Sequence, residues 1–517
     1  MKYFLPFIIL FLSINSLYAK SEIEIYNEIY SNISNGDVTE AIKLCKKQIK
    51  KQKKNPSWQY LLGEAYLHSG DFSMAIETLS TLPQTKDVRR LMQNCIVADS
   101  LTKNPSQYSV KYMGDSLNTT HDNIWPTLTP TEDIFFTTVV VNNKMSFPQE
   151  DIYYSLPMED GRWTIAKALP APLNTEENEG SQSFSADGKY MFLVRCNQKD
   201  GYGSCDIYYC MKKGDVWTRP INAGKVINTR NWESTPSVSA DLSKLYFSSN
   251  QKPNVGAKDI FVAEIGVLAD GHLEFFNVKN LGDSINTIYD ETAPFIHADG
   301  VTLYYSSNCE KSMGGLDVFF SQIDSSGNWS RSLNMGYPLN TTRDNFGFCT
   351  NLTGDKGYIS SLNTNGENMV IYEVSLPKSV RPLPTLLIKN NKGNNFSKIT
   401  DGIGISLDNV LFDFNESTLL ESSKSQLDKL AKIMLESQDL NVEIIGHTDS
   451  IGSVDYNLEL SMKRAISVGE YIVSQGVSAS RIQYFGKGAS EPIAPNNTDA
   501  GRVQNRRIEF KFYSTKK

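Results

Sequence analysis

At 517 residues the chain is too long for a single hydrophobic core, so about three domains are expected. Its net charge is −7 and its basic residues are spread along the chain, which argues against a nucleic-acid-binding protein. Seven cysteines is an odd number, so in an exported chain at least one thiol should stay free or pair with another molecule.

The first segment has the features of a secretory signal peptide. Met1 and Lys2 give a basic start, residues 3–12 are apolar apart from Pro6, and Ala19 precedes a cleavage point. The apolar run is shorter than the roughly 20 residues that a membrane span requires. We therefore expect residues 1–19 to be removed, leaving a mature chain without a transmembrane segment. No cysteine follows the cleavage point, so no lipid anchor is expected there.

Pairs of identical residues stand 34 positions apart in residues 20–104: Tyr26 and Tyr60, Gly36 and Gly70, Asp37 and Asp71, Ala41 and Ala75, Ile42 and Ile76. This period predicts helical hairpins, with the glycines in the turns and the alanines where helices approach closely. The phrase NPSWQYLLGEAYLHSGDFSMAIETL resembles a tetratricopeptide repeat. The resemblance implies a helical domain that binds partner proteins; the alternative is a structural cap on the next domain.

A second period runs through residues 105–376. Asn-Thr phrases recur with spacings of 56, 54, 58 and 54 at Asn118, Asn174, Asn228, Asn286 and Asn340. Each unit reads as short strands joined by tight turns, and four strands per unit in a repeated array predict propeller blades. The region resembles the TolB-type, WD40-like β-propeller repeats of bacterial envelope proteins.

The fifth unit stops near Leu376 without a fourth strand. Residues 107–119 have the right ending to supply that strand and close the ring, which predicts five blades, with six as the alternative. We find no catalytic motif or metal-ligand cluster here, and His297 lies where the other units carry turn residues. Cys196 and Cys205 flank a glycine turn and are the best candidates for a disulfide, the alternative being that all seven cysteines are buried thiols.

Residues 377–402 read as a linker with at most one short strand. Residues 403–517 alternate strand and helix patterns, which predicts a two-layer α/β domain. A strand is expected at 405–415 and others at 441–447, 481–488 and 506–513. Apolar positions at helical spacing predict two helices: Leu427, Leu430, Ala431 and Met434 for the first, and Leu458, Ala465, Val468 and Ile472 for the second.

Polar residues around the second of these helices suggest a binding pocket. Asp449 follows a strand end, and Asn457, Ser461 and Arg464 share one helix face at spacings i, i+4 and i+7. A carboxylate and a guanidinium in one pocket suit a zwitterion such as an amino-acid head group. The alternative is structural: Asp449 caps the following turn and pairs with Arg464 as an ordinary salt bridge.

Roughly residues 405–513, and most clearly the stretch from Gly446 to Phe510, resemble the C-terminal peptidoglycan-binding domain of the OmpA-like family. The shared residues are Phe412-Asp413-Phe414, Thr448-Asp449, Gly452, Asn457, Leu460-Ser461, Arg464-Ala465, Gly486, Gly488, Pro492, Gly501-Arg502 and Asn505-Arg506-Arg507. This resemblance implies that Asp449 contacts the ammonium and Arg464 the carboxylate of diaminopimelate in the peptidoglycan stem. It places these residues around the site: Phe412, Asp413, Thr448, Asn457, Leu458, Arg506 and Arg507.

The sequence thus predicts a non-enzymatic periplasmic scaffold, with no cofactor and no metal. Its last domain would hold peptidoglycan, while the helical repeats and the propeller recruit periplasmic or outer-membrane proteins. The domain order resembles envelope scaffolds of Bacteroidetes-type bacteria, including a component of the type IX secretion system. Two alternatives remain: a propeller that binds or processes a glycan or peptide, with the last domain only localising it, and an OmpA-like fold that has become a protein-interaction module.

Overall fold

The structure is a computed structural model. It describes residues 21–52, 55–141, 148–214, 216–324, 326–363, 365–382, 385–390, 393–398, 404–406, 419, 421–436, 438, 440–498, 501–502 and 505–514. The chain divides after Cys95 into two compact units. No helix in the described part of the chain is both long and apolar enough to span a membrane.

Five helices make up the N-terminal region: α1 (Glu22–Ser34), α2 (Val38–Lys51), α3 (Pro56–Ser69), α4 (Phe72–Ser80) and α5 (Lys86–Lys103). Gly70 ends α3 at a φ of 81°, and Asp71 then caps α4 by accepting from the Met74 amide at 3.2 Å. A side chain at Gly63 would lie 2.6 Å from Leu79, so this glycine lets α3 and α4 approach closely. The predicted helical hairpins are confirmed.

The middle region is all β. Its strands are β1 (Val110–Tyr112), β2 (Asp122–Leu128), β3 (Phe135–Val141), β4 (Gln149–Ser155), β5 (Lys167–Ala168), β6 (Glu179–Phe184), β7 (Tyr190–Cys196), β8 (Cys205–Lys213), β9 (Val216–Trp217), β10 (Ile221–Asn222), β11 (Glu233–Val238), β12 (Lys244–Ser249), β13 (Asp259–Val267), β14 (Leu273–Asn280), β15 (Glu291–Ile296), β16 (Thr302–Ser307), β17 (Asp317–Gln322), β18 (Leu333–Asn334), β19 (Asn345–Thr350), β20 (Lys356–Leu362) and β21 (Met369–Ser375).

These strands form five antiparallel sheets. Their orders are β2-β3-β4-β5, β6-β7-β8-β10 with β9 also on β8, β11-β12-β13-β14, β15-β16-β17-β18, and β19-β20-β21-β1. The fifth sheet takes its last strand from the start of the region, because Val110 pairs with Val374 and Tyr112 with Tyr372. This confirms the strand that the sequence predicted within residues 107–119.

The first strands of the five sheets contact one another in series. The contacts are β2 with β6, β6 with β11, β11 with β15, β15 with β19, and β19 with β2. Apolar clusters fill the spaces between neighbouring sheets, including the space between the fifth sheet and the first, where the Phe135 ring lies 5.1 Å from that of Tyr358.

Each first strand carries a bulge at a residue with positive φ. These residues are Trp125, Ser181, Thr235, Ala293 and Gly347, with φ between 50° and 65°. Their spacings are 56, 54, 58 and 54, the same as those of the Asn-Thr phrases. A bulge bends a strand and re-aims its side chains. The sequence period therefore repeats as a backbone feature around the inner strands.

Cys196 and Cys205 form a disulfide between the paired strands β7 and β8, which confirms the predicted bridge. The other five cysteines are buried and form no disulfide: Cys45, Cys95, Cys210, Cys309 and Cys349. Residues 377–402, which the sequence suggested to be a linker with one short strand, hold more regular structure than that. They contain a short helical turn at Lys378–Val380 and a two-stranded hairpin of β22 (Thr385–Asn390) and β23 (Gly393–Lys398).

The C-terminal region packs helices against a mixed sheet. Its elements are β24 (Gly404–Ser406), α6 (Glu421–Glu436), β25 (Leu440–Gly446), α7 (Val454–Ser474), a helical turn at Ala479–Arg481, β26 (Ile482–Gly486) and β27 (Ile508–Ser514). The sheet order is β24-β27-β25-β26, with β25 parallel to β26 and antiparallel to β27. The two predicted helices and the α/β class are confirmed. The strand expected at 405–415 is seen as β24, and residues 407–415 lie outside the described residues.

Candidate functional site

Sheet register brings three separate chain segments together at one edge. Gly446, the last residue of β25, pairs with Gly486 of β26 on one side and with Ile508 of β27 on the other. Because β27 runs antiparallel to β25, the residues that follow Gly446 meet the residues that precede Ile508. Asp449 and Arg506, which are 57 positions apart in sequence, therefore become neighbours.

Glycines at this edge let α7 approach the sheet. A Cβ at Gly446 would lie 2.0 Å from the Ser461 carbonyl oxygen, and one at Gly486 would lie 2.8 Å from that of Leu458. The Ser461 hydroxyl then accepts from the Gly488 amide at 2.9 Å. Any larger residue at Gly446 would push the helix away from the strand end.

The face of α7 turned toward this edge is the polar one that the sequence predicted. Ser453 caps the helix by accepting from the Tyr456 amide at 3.2 Å. Asn457, Ser461 and Arg464 follow on one face, and all three are buried. The Asn457 side-chain amide donates to the Ile451 carbonyl at 3.1 Å, which fixes the loop between β25 and α7.

Asp449 is the central acid of this cluster, and 9% of its side chain is exposed. One carboxylate oxygen accepts from the Ile451 amide at 2.9 Å, and the other accepts from Arg506 Nη1 at 2.6 Å. The Arg506 side chain itself is 41% exposed. The carboxylate thus caps its own turn, as the structural alternative supposed, and also forms an ion pair with a partly solvated arginine.

Arg464 lies in the same electrostatic environment. Burial lowers the pKa of its guanidinium from the usual value, and the positive charge of Arg506 lowers it further, while the Asp449 carboxylate acts in the opposite direction. Two guanidinium groups therefore act on one carboxylate, and the three side chains carry one positive charge in excess.

Comparison with known proteins identifies this part of the chain. A family model described as the OmpA family matches residues 411–506. The C-terminal region is an OmpA domain. A model described as the tetratricopeptide repeat matches residues 32–94, so the N-terminal region contains such repeats.

Three curated relatives share part of the chain. Identity is 45% over 107 residues with outer membrane porin F of Pseudomonas fluorescens, covering 21% of this chain and 32% of the porin. It is 43% over 109 residues with outer membrane protein A of Bordetella avium, covering 21% and 56%. It is 40% over 122 residues with the probable lipoprotein YiaD of Escherichia coli, covering 23% and 56%. The chain thus spans between about a third and about half of the length of these relatives.

Two solved structures resemble part of the chain. The peptidoglycan-associated lipoprotein of Burkholderia pseudomallei is 28% identical with a TM-score of 0.20, covering 20% of this chain and 87% of that one. The cell wall anchor of the T6SS of Pseudomonas aeruginosa is 24% identical with a TM-score of 0.21, covering 23% and 85%.

Within the OmpA domain, Thr448 lines the same edge beside Asp449. Its amide donates to the Gly488 carbonyl at 2.9 Å, which ties the loop after β25 to the loop after β26. The Thr448 hydroxyl is buried and has no hydrogen-bond partner among the described residues. A buried hydroxyl without a partner is a group that a ligand can satisfy.

Arg507 points into a different cluster from Arg506. Its Nε donates to Glu509 at 2.7 Å, and its terminal nitrogens donate to the Glu491 carbonyl at 3.2 Å. His447 is buried nearby, with Nε2 at 3.6 Å from a Glu509 oxygen. His447 and Arg507 together hold the pKa of Glu509 down to about 2, against the effect of its partial burial.

Leu458 departs from the sequence-based expectation that it belongs to the apolar core stripe of α7. Its side chain is 48% exposed, whereas Ala465, Val468 and Ile472 are fully buried. The main chain of Leu458 lies against Gly486 and Gly488. Leu458 is therefore an exposed apolar residue beside the polar cluster. Two other predicted site residues, Phe412 and Asp413, lie outside the described residues.

Sequence reasoning did not single out Asn496. Its side-chain oxygen accepts from the Ser450 amide at 3.2 Å and from Asn505 Nδ2 at 2.9 Å, so it joins the turn after Asp449 to the segment before β27. Asn505 also accepts from the Ile493 and Ala494 amides at 2.8 and 3.0 Å. Asn505 was among the residues shared with the OmpA-like family, but Asn496 was not. The sequence did not mark Asn496, because its partner Ser450 lies 46 positions away.

The middle region contains a second candidate site, a cavity. A cavity of about 120 Å³ lies among the five first strands and is lined by side chains such as Trp125, Gln182, Pro236 and Phe348. His297 also lines it, and its Nδ1 accepts from the Asp299 amide at 3.1 Å while Nε2 has no partner among the described residues. In the described part of the chain, no group of three or more His, Cys, Asp or Glu side chains is placed to hold a metal ion.

Proposed function

We propose that this chain is a non-enzymatic periplasmic scaffold that anchors an outer-membrane-associated complex to the cell wall. Its OmpA domain would bind the diaminopimelate residue of the peptidoglycan stem peptide. The observation that carries this proposal is the cluster at the sheet edge, in which buried Asp449 and Arg464 meet the partly exposed Arg506. The names of its relatives, an outer membrane porin and an outer membrane protein, and of similar structures, a peptidoglycan-associated lipoprotein and a cell wall anchor, agree with it.

Charge explains why diaminopimelate fits. The free end of this residue carries an ammonium and a carboxylate on one carbon. Asp449 would accept from the ammonium through its remaining lone pairs, while Arg464, helped by Arg506, would bind the carboxylate. The presence of two guanidinium groups at the site favours a ligand whose carboxylate enters it. Thr448, Asn457 and Leu458 would line the rest of the pocket.

The test is co-sedimentation of the chain with sacculi that contain diaminopimelate. Asp449→Ala and Arg464→Ala should each weaken binding at least 30-fold, because losing one partner of a buried charge contact costs about 2 kcal/mol or more. Glu459→Ala and Lys463→Ala are matched controls, since this pair is on the same helix with side chains 65% and 59% exposed. The controls should bind like the parent chain.

Sacculi with lysine in place of diaminopimelate make the test specific. Lysine keeps the ammonium but lacks the second carboxylate, so the parent chain should bind these sacculi much more weakly, and Arg464→Ala should change that residual binding little. Equal binding of both sacculi by the parent, or pelleting of Asp449→Ala at the level of the controls, would contradict the proposal. Hydrogen exchange of residues 440–446 checks that each variant keeps its fold.

For the middle region we propose a five-bladed propeller with residues 105–376 as its extent, followed by a linker to 402. The series of contacts among the first strands and the pairing of β1 with β21 support five blades over six. The helical repeats of residues 20–104 and the propeller would recruit periplasmic or outer-membrane proteins. The further prediction that the anchored complex serves type IX secretion rests on the resemblance of the domain order alone.

The alternative function assigns binding or processing of a glycan or peptide to the middle region. The cavity beside His297 is the observation that favours it. Incubation with muropeptides followed by mass analysis separates the two: unchanged masses agree with a scaffold, and new product masses that disappear in His297→Ala would support processing.

A further inference from the structure

Helix α2 carries a concentration of lysine that the proposed function does not use. Residues 43–54 read KLCKKQIKKQKK, with seven lysines and no acidic residue, in a chain whose net charge is −7. We expected the basic residues to be spread along the chain, and this helix is an exception to that expectation. Lys53 and Lys54 lie outside the described residues, and the other five lysines are exposed.

Helical spacing gathers four of these lysines into one stripe, which we call the lysine face: Lys43, Lys46, Lys47 and Lys50. Their spacings of i, i+3, i+4 and i+7 place them on one side of α2. The opposite side, formed by Ala41, Cys45 and Gln48, is buried in the helical unit. The core therefore holds the lysine face outward and fixes its orientation.

Few local contacts offset the charge of the lysine face. Glu40 is the acidic residue of α2, and it bonds Lys43 at 2.9 Å. The Lys46 ammonium lies 5.4 Å from the centre of the Tyr66 ring, a cation–π contact that leaves its charge in place. Like charges at i and i+4 destabilise a helix, so the pair of Lys43 with Lys47 and the pair of Lys46 with Lys50 lower the stability of α2. An anionic partner would offset this repulsion.

The chemistry of the lysine face favours a lipid surface over a protein. Lysine is a compact, strongly hydrated charge, and it is depleted in protein interfaces, whose centres are apolar or aromatic. Beside the four lysines, the shallow depression on this face is lined by Thr39 and Ile42, so it lacks an aromatic centre. Clusters of four to eight lysines on a helix suit the smeared negative charge of a bilayer. We propose that the lysine face docks on an anionic phospholipid bilayer.

The test is flotation of the chain without residues 1–19 with phospholipid vesicles. Vesicles of phosphatidylglycerol and phosphatidylcholine in a 3:7 ratio provide the anionic surface, and pure phosphatidylcholine vesicles provide the neutral one. Changing the four lysines of the lysine face to glutamine should reduce binding to the anionic vesicles at least tenfold. Glutamine has a helix propensity close to that of lysine, so α2 should remain folded, and circular dichroism checks this.

A matched variant controls for net charge. Changing Lys213, Lys225, Lys244 and Lys279 to glutamine removes the same charge from exposed positions of the middle region. This control should bind the vesicles as the parent chain does. About 0.5 M salt should release the parent from anionic vesicles, because the Debye length then falls well below 10 Å.

Three results would overturn the proposal. The parent chain could fail to bind anionic vesicles at low salt, or it could bind neutral vesicles equally well. The glutamine variant of the lysine face and the control variant of the middle region could also lose binding to the same extent. A parent that binds poly-glutamate but not the anionic vesicles would assign the lysine face to an acidic protein, which also overturns a lipid partner.

Discussion

Asp449 and Arg464, the acid and the base that the sequence predicted to share a pocket, do not act as an isolated pair. Asp449 forms its ion pair with Arg506 at 2.6 Å, and Arg464 is buried in the field of both. The antiparallel register of β25 and β27 causes this arrangement. Helical spacing and the OmpA resemblance both pointed to Arg464, whereas only the resemblance placed Arg506 beside the site.

The repeated asparagines of the middle region share one structural role. Each is buried, and its side chain both accepts from and donates to the main chain of the third strand of a sheet. Asn118 does this with Ile371, 253 positions later, and so closes the series. The period was visible in the sequence, whereas the partner of each asparagine was not.

Glu291 leads to a pH prediction. It is fully buried on β15, where it accepts from the hydroxyls of Thr287 and Ser307. Burial, with a smaller effect of the negative charge of Asp259, raises the pKa of Glu291 to about 7 despite these hydrogen bonds. Between the unfolded pKa near 4.3 and about 7, the folded state binds the proton and the unfolded state does not. Stability should therefore fall as pH rises through this window, by about 4 kcal/mol in all.

Glu291→Gln should remove that share of the pH dependence. Urea unfolding followed by tryptophan fluorescence measures it, because five of the six tryptophans lie between Trp125 and Trp329. Glu274→Gln changes an exposed glutamate of β14 and should keep the slope of the parent chain. Parallel slopes for Glu291→Gln and the parent would show that Glu291 does not take up a proton in this range.

At the scale of elements, the pairing of β1 with β21 makes the last sheet dependent on both ends of the middle region. Main-chain hydrogen bonds join Ser375 to Ser109 and Met113 to Ile371. Hydrogen-bonded and non-hydrogen-bonded positions alternate between these two points of the strand pair. By that alternation the Lys111 amide points toward Glu373, its register partner, while the Val110 amide points away.

Lys111→Pro should therefore weaken the fifth sheet, since proline removes a ladder donor. We expect much faster hydrogen exchange in residues 369–375 and a loss of about 3 kcal/mol. Val110→Pro, one position earlier on the same edge strand, should have a much smaller effect. If both prolines act alike, β1 does not contribute to the stability of the sheet.

In two other segments the residue pattern did not predict the observed structure. The hairpin of β22 and β23 lay in a stretch rich in asparagine, lysine and proline, whose composition suggested a linker. Leu458 fits the apolar period of α7 but is exposed, and the atoms that it places against Gly486 and Gly488 belong to its main chain. In both cases the surroundings of the segment, and not its own pattern, decided the outcome.

At the scale of the whole molecule, the two proposals predict a bridge between membrane and wall. Anionic vesicles alone stay in the supernatant at low centrifugal force, whereas sacculi pellet. The parent chain should carry vesicles into the pellet with sacculi, and either Asp449→Ala or the glutamine variant of the lysine face should abolish this. Vesicles that pellet equally with the Asp449→Ala chain would mean that wall and membrane are not joined through the OmpA domain.

The sequence by itself determined the order of the regions, the class of each region and most helices and strands. These features follow from local periods: 34 residues for the helical hairpins, about 55 for the β units, and 2 or 3.6 within single elements. Tertiary structure alone decided the ion pair of Asp449 with Arg506, the burial that raises the pKa of Glu291, and the exposure of Leu458. Such properties depend on which distant residues the sheet register and the helix packing bring together, and a local pattern does not encode them.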